Sequence, residues 1–121
     1  MDLAIIENKP QGDTVVKLCG ELDIASAPDL REQLLVMLDR HQPRRLVLDL
    51  SDLEFMDSSG TAVLVNTERR ARMLGCTFAL VAPQAAVTRV LRISGLDQHF
   101  LIFESFSPAD DGGQTLARQS D

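Results

Sequence analysis

The chain has 121 residues, 45% of them apolar, a size and composition that suit one globular core and leave no room for two. Its formal charge of −6, from 18 acidic and 12 basic side chains, argues against a phosphate backbone as a direct partner. Trp and Tyr are absent and only five Phe are present, which argues against stacked-base recognition of single strands.

In chain order, Leu3 to Ile6 is a short apolar run, closed by the polar turn Asn8-Lys9-Pro10-Gln11-Gly12-Asp13. The β-branched run Thr14 to Cys19 follows and Gly20 is expected to end it, so the pair reads as a hairpin. Glu21 to Ala25 is expected to be a connection. A helix is predicted from Ser26, where Ser26-Ala27-Pro28-Asp29 offers a capping hydroxyl, an early proline and an acid three places on. Leu30, Leu34, Met37, Leu38 and His41 share one helical face, and Gln42-Pro43 stops it.

Arg45 to Leu50 is nearly continuous in apolar character, as suits a central strand covered on both faces. A second helix is predicted over Gly60 to Leu74, with Val63, Leu64, Thr67, Ala71 and Leu74 on one face and Gly75 as its left-handed end. Its outward residues Val65, Arg69, Arg72 and Met73 are expected to be a solvated face, with a mixed docking patch as the alternative. Thr77 to Val81 is a strand, Pro83 opens a third helix that Gly95 ends, and Phe100 to Phe103 is a last short strand. The domain is expected over residues 1–106. The Pro, Asp and Gly-rich residues 107–121 are expected to be a mobile tail, with at most a weak helical turn around Leu116.

Strand–helix alternation after the opening hairpin implies βαβ crossovers. The fold class is therefore α/β, a small mixed and mostly parallel sheet of four to five strands, in the order ββαβαβα with an optional last strand. Cys19 and Cys76 stand far apart beside apolar runs and are expected to be buried, reduced thiols. His41 and His99 have no ligand-like spacing to them, so no metal site is expected. No run approaches the ~20 apolar residues of a membrane span, and the opening MDLAIIENKP lacks a leader's basic flank. Cytoplasm without membrane insertion is the expected location.

The stretch Phe55-Met56-Asp57-Ser58-Ser59-Gly60-Thr61 places three capping residues where strand gives way to helix. A serine nucleophile there would need a glycine two places earlier and a general base, but Met56 and Asp57 precede the serines. His99, the only later histidine, sits in an ordinary context. A phosphate-cradling loop would need more glycines and a lysine. Helix capping accounts for one of the three residues. A modification site is a third reading beside capping, since a helix N-terminus tolerates an added phosphate.

Three stretches together resemble the STAS domain family (sulphate transporter and anti-sigma factor antagonist): Gly20-Glu21-Leu22-Asp23, Leu48 to Gly60, and Ile93-Ser94-Gly95-Leu96. The similarity runs roughly from Leu3 to Phe106 and is strongest to stand-alone bacterial anti-sigma factor antagonists. The resemblance implies a STAS-like sheet with helices against it, and Ser59, just before the motif glycine, as the phosphoacceptor. It implies a partner-binding surface of Glu21, Asp23, Asp57, Ser58, Ser59, Gly60 and Thr61, although plain solvated loop acids remain an open reading for Glu21 and Asp23. Thr61 stands where many relatives are apolar and adds another hydroxyl.

The resemblance further implies partner switching and no catalysis by this chain. The unphosphorylated antagonist would bind an anti-sigma factor serine kinase of the histidine-kinase-like ATPase class and so free a sigma factor. That kinase would use ATP and magnesium to phosphorylate Ser59, and a metal-dependent serine phosphatase would reverse the step. The antagonist itself is expected to hold no cofactor and to be a monomer when free. The alternative is a STAS scaffold, or an accessory subunit of a membrane lipid transporter or stress-signalling complex.

Overall fold

The computed structural model describes residues 1–9, 12–108 and 114–118 of the chain. Its elements are β1 (Asp2–Asn8), β2 (Asp13–Leu22), α1 (Ala27–His41), β3 (Arg45–Met56), α2 (Ser58–Met73), β4 (Thr77–Val81), α3 (Ala85–Ile93), a 3-10 turn over Leu96–Gln98, β5 (Leu101–Pro108) and β6 (Gln114–Arg118). The strands form one sheet in simple sequence order, β1 to β6. Pairs β2–β3, β3–β4 and β4–β5 are parallel, as helical crossovers require, and the outer pairs are antiparallel.

Alternation along the strands sorts side chains into two clusters. Val16, Leu48 and Leu80 are register neighbours in the main core, which also takes in Leu30, Leu34 and Leu38 of α1, Val63 and Leu64 of α2, and Val87 and Leu91 of α3. Val15, Val47 and Val81 form a smaller cluster from the intervening positions, with Ala82 and Phe103 packed against it. Leu46, Val47 and Leu48 have no exposed surface, so the start of β3 is covered on both faces as its composition implies. The register of β2 on β3 is pinned at its start by a two-pronged pair, Arg45 Nε to Asp13 Oδ1 at 3.0 Å and Arg45 Nη2 to Asp13 Oδ2 at 2.6 Å.

Several boundaries differ from expectation. Gly20 does not end β2: it takes φ +100° at an irregularity in the ladder, and β2 continues through Leu22. Glu21 and Leu22 therefore belong to the strand instead of the connection. β3 likewise runs on to Met56, because its polar second half pairs with that extension (Gly20 with Leu53, Glu21 with Phe55, Leu22 with Met56). Helix α2 begins at Ser58, two residues early, because Asp57 supplies its cap. Gln84, not Pro83, precedes α3, and its Nε2 donates to the Ser51 carbonyl at 2.7 Å.

Ser26 flanks α1 but does not cap it with its hydroxyl; its backbone is already helical, which turns the side chain back into the preceding loop. His41 is exposed, although the Leu30–Leu34–Met37–Leu38 face is buried as expected. Cys76 is buried, and that burial pushes its thiol pKa up and keeps it neutral, whereas Cys19 is only partly covered. The sheet has six strands: β5 runs through Pro108, and Gln114–Arg118 pairs with it antiparallel where a weak helical turn was expected around Leu116. The remainder of the expected tail, 109–113 and 119–121, lies outside the described residues. Among the described residues no helix is long and apolar enough to cross a membrane.

Candidate functional site

Parallel neighbours that stop together bring their following loops together, and β2 and β3 stop at paired residues, Leu22 and Met56. The Asp57 amide donates to the Leu22 carbonyl at 3.2 Å, which ties the start of α2 to the end of β2. This join places the Glu21–Asp23 stretch and the Asp57–Thr61 stretch on one edge of the molecule. The third family-like stretch, Ile93 to Leu96, lies at the end of α3 that feeds β5, hence at the opposite end of the parallel sheet.

Each residue of the Asp57–Thr61 stretch has its own structural role. Asp57 is extended and its Oδ1 accepts from the Ser59 amide at 2.8 Å and the Gly60 amide at 3.2 Å, capping α2. Ser58 is exposed. Its carbonyl accepts the Thr61 hydroxyl at 2.8 Å, and Thr61 itself is only 8% exposed. Ser59 is half-buried, and among the described residues its hydroxyl has no hydrogen-bond partner. No acidic side chain occupies the first turn of α2, which leaves its partial positive charge answered only by Asp57.

Gly60 is required by space. A Cβ there would lie 2.4 Å from Met56 Cγ and 2.9 Å from Leu22 Cγ, both on fully buried side chains. The first turn of α2 thus rests directly on the last residues of both strands.

The neighbouring loop is organised by Asp23. Its Oδ1 accepts from the Ala25 amide at 3.0 Å and the Ser26 amide at 3.1 Å. The Ser26 hydroxyl in turn accepts from the Asp23 amide at 3.0 Å and donates to the Glu21 carbonyl at 3.0 Å. Hydrogen bonding from the Ser26 amide, then from the Ala25 amide and the Ser26 hydroxyl, holds the Asp23 carboxyl below its ordinary value. Asp23 therefore shapes the loop, while the exposed Glu21 side chain is left to face outward. Glu21, Asp23, Asp29 and Glu54 line a groove of about 670 Å³ between the hairpin and the start of α1.

Two exposed apolar residues lie at this edge. Ile24 is 77% exposed in the Asp23 loop, and Phe55 is 46% exposed opposite Glu21. A lone isoleucine in a polar connection was the available signal for the first. Phe55 carried none, since only the paired extension of β2 and β3 shows that its side chain faces out while Met56 faces in. Val65, by contrast, packs partly against the core, which leaves the outward face of α2 mainly polar apart from the exposed Met73.

His99 is not available to Ser59. Its Nε2 lies 3.3 Å from Glu68 Oε1, and Glu68 is nine residues along α2 from Ser59, about 13 Å at 1.5 Å per residue. Among the described residues no group of three or more His, Cys, Asp or Glu side chains is placed to hold a metal ion.

A family model described as Mlab, STAS domain, matches residues 6–103. The chain is 32% identical over 105 residues to the anti-sigma F factor antagonist of Paenibacillus polymyxa, covering 87% of this chain and 90% of that one. It superposes on the crystal structure of an anti-sigma factor antagonist from Mycobacterium paratuberculosis with a TM-score of 0.70 at 30% identity, over 91% and 89% of the two chains. The fold is also that of the Bacillus cell fate determinant SpoIIAA in its phosphorylated form, TM-score 0.65 at 21% identity over 84% and 90%. With the mixed sheet, the capped Asp57–Gly60 turn and these relatives in view, the chain belongs to the STAS domain family.

Proposed function

We propose that this protein is an anti-sigma factor antagonist controlled by phosphorylation of Ser59. The observation that carries the reading is the Ser59 hydroxyl, partly exposed at a capped helix start and without a hydrogen-bond partner among the described residues. The relatives' names supply the class of partner, an anti-sigma factor. In this reading the partner is a serine kinase of the histidine-kinase-like ATPase class, which brings the ATP and magnesium. A metal-dependent serine phosphatase restores the hydroxyl.

The physical basis of the switch is desolvation. Docking buries Ile24 and Phe55 together with the small, uncharged Ser59 surface at the same edge. A phosphate adds about −1.5 to −2 charges at Ser59. The Ser59 and Gly60 amides already serve Asp57, so the new group stays hydrated on the surface instead of folding into the helix start. Stripping that hydration during docking opposes binding. Thr61 supports the turn from behind, and Glu21 presents a charge at the rim.

The test is a pull-down with and without ATP, with the captured protein identified and the phosphosite mapped. Wild-type protein should capture a kinase and release it in ATP; Ser59→Ala should capture it and hold on; Ser59→Asp should bind weakly. Phosphate on Ser58 or Thr61 would overturn the site, and equal binding of the Ala and Asp variants would overturn the charge switch. Capture of transporter subunits in place of a kinase would favour the accessory-subunit role.

A further inference from the structure

The β1 edge of the sheet carries a second surface, which adjoins the groove beside the Asp23 loop at Leu3 and Gln33. Strand β1 is an edge strand, and its run Leu3-Ala4-Ile5-Ile6 contains none of the lysines or prolines that commonly blunt such an edge. A register irregularity between Ile5 and Glu7 is its one interruption. Ile5 is 49% exposed, and Val36 of α1, 43% exposed, faces the same groove of about 360 Å³. Leu3 and Met37 also line it, with Glu32 and Arg40 at its margins. These residues form an apolar stripe at odds with the expectation of a free monomer.

The charges identify the occupant. Glu32, Val36 and Arg40 are spaced four residues apart on α1, so they form one row about 12 Å long with the apolar residue at its centre. Among the described residues neither Glu32 nor Arg40 has an ion-pair partner, whereas Asp39 beside them is paired with Arg70 at 2.9 Å. A row that reads acid, apolar, base is complementary to itself when turned by two-fold rotation. Val36 then meets Val36, and each Glu32 meets the Arg40 of the other copy. The same axis sets the two β1 edges side by side and antiparallel, which covers Ile5 and continues the sheet.

We propose that the β1–α1 face binds a second copy of this chain as a two-fold dimer. Because the β1 strands run in opposite directions, the two Ser59 edges point away from each other and both remain open to partners.

Sedimentation velocity of the full chain tests this, with circular dichroism melting to confirm that every variant is folded. Wild-type protein should pass from monomer to dimer across the micromolar to sub-millimolar range, and Val36→Asp should abolish the dimer. Glu32→Arg alone and Arg40→Glu alone should each weaken association about tenfold, since each reversal sets two like-charge contacts across the axis. An equimolar mixture of those two variants should recover the dimer, because in the mixed pair both contacts are again opposite in sign. A monomer at every concentration overturns the proposal and leaves the groove to a different protein. So does a reversal variant that associates like wild type, or a mixture that fails to recover.

Discussion

Asp57 satisfies two helix amides with one oxygen, at 2.8 and 3.2 Å, so Asp57→Ala leaves both without a partner and should cost about 1 kcal/mol in denaturant unfolding. Gly60→Ala sets two effects against each other. Alanine is the better helix former by about 1 kcal/mol. Its methyl group would have to displace Met56 and Leu22, however, and overpacking of that kind costs about 1–3 kcal/mol. Both neighbours are fully buried and cannot swing into solvent, so the clash should win and the variant should melt at a lower temperature than wild type. Ile24→Ala and Phe55→Ala should behave in the opposite manner. They remove exposed surface, leave the melting temperature nearly unchanged, and weaken capture of the anti-sigma partner by about five- to tenfold each, measured by titration calorimetry. A loss of stability with no loss of binding would remove them from the docking surface.

Between elements, the Asp23 loop links the end of β2 to the start of α1, and its strength should depend on pH. The Asp23 carboxyl lies below its ordinary value of 3.8, so ionised Asp23 stabilises the folded loop fully above that value. The contribution declines as pH falls through the lowered folded value. In urea unfolding, wild type should therefore exceed Asp23→Asn in stability at neutral pH, and the gap should narrow below about pH 4. A gap that stays constant with pH would mean the charge has no part in it. This loop also shows what a sequence conceals. Ser26 is a good capping residue three places before an acid, yet Asp23, three places earlier still, takes its amide and leaves the hydroxyl to bond the Glu21 carbonyl. Two local motifs competed, and only the three-dimensional turn decides between them. The helical faces of α1 and α2 were legible because periodic burial is a local property. The extensions of β2 and β3 were not, since Gly20 resembles a strand end and Ser51, Asp52 and Glu54 a loop. Each is held extended only by the other. The cap and the glycine of the site were legible from residue type and order, whereas the outward Phe55 and the buried Thr61 hydroxyl depend on packing that no single stretch contains.

Across the whole molecule, acids without ion-pair partners among the described residues gather at one end, while the arginines at the other are partly paired with Asp39 and Glu68. The last turns of the three helices carry Arg40, Arg70, Arg72 and Arg92, where cations favour the helix dipole, while Glu21, Asp23, Asp29 and Glu54 gather beside the proposed docking edge. An approaching partner with a basic surface would be oriented by that polarity before contact. Its association rate should fall as ionic strength rises, and Glu21→Lys with Glu54→Lys should flatten the dependence in stopped-flow measurements while leaving dissociation nearly unchanged. A slope unaltered by the double reversal would place the steering elsewhere. Gly60, pressed onto Met56 and Leu22, has a consequence for signalling. With no room beneath it, the start of α2 would have nowhere to sink if, as proposed, Ser59 gains a phosphate. The two forms of the protein should then superpose, and news of the modification does not travel inward. Under the proposed switch the protein would act as a stamped token: the mark would sit on an unmoving face, and all of the response would belong to the reader.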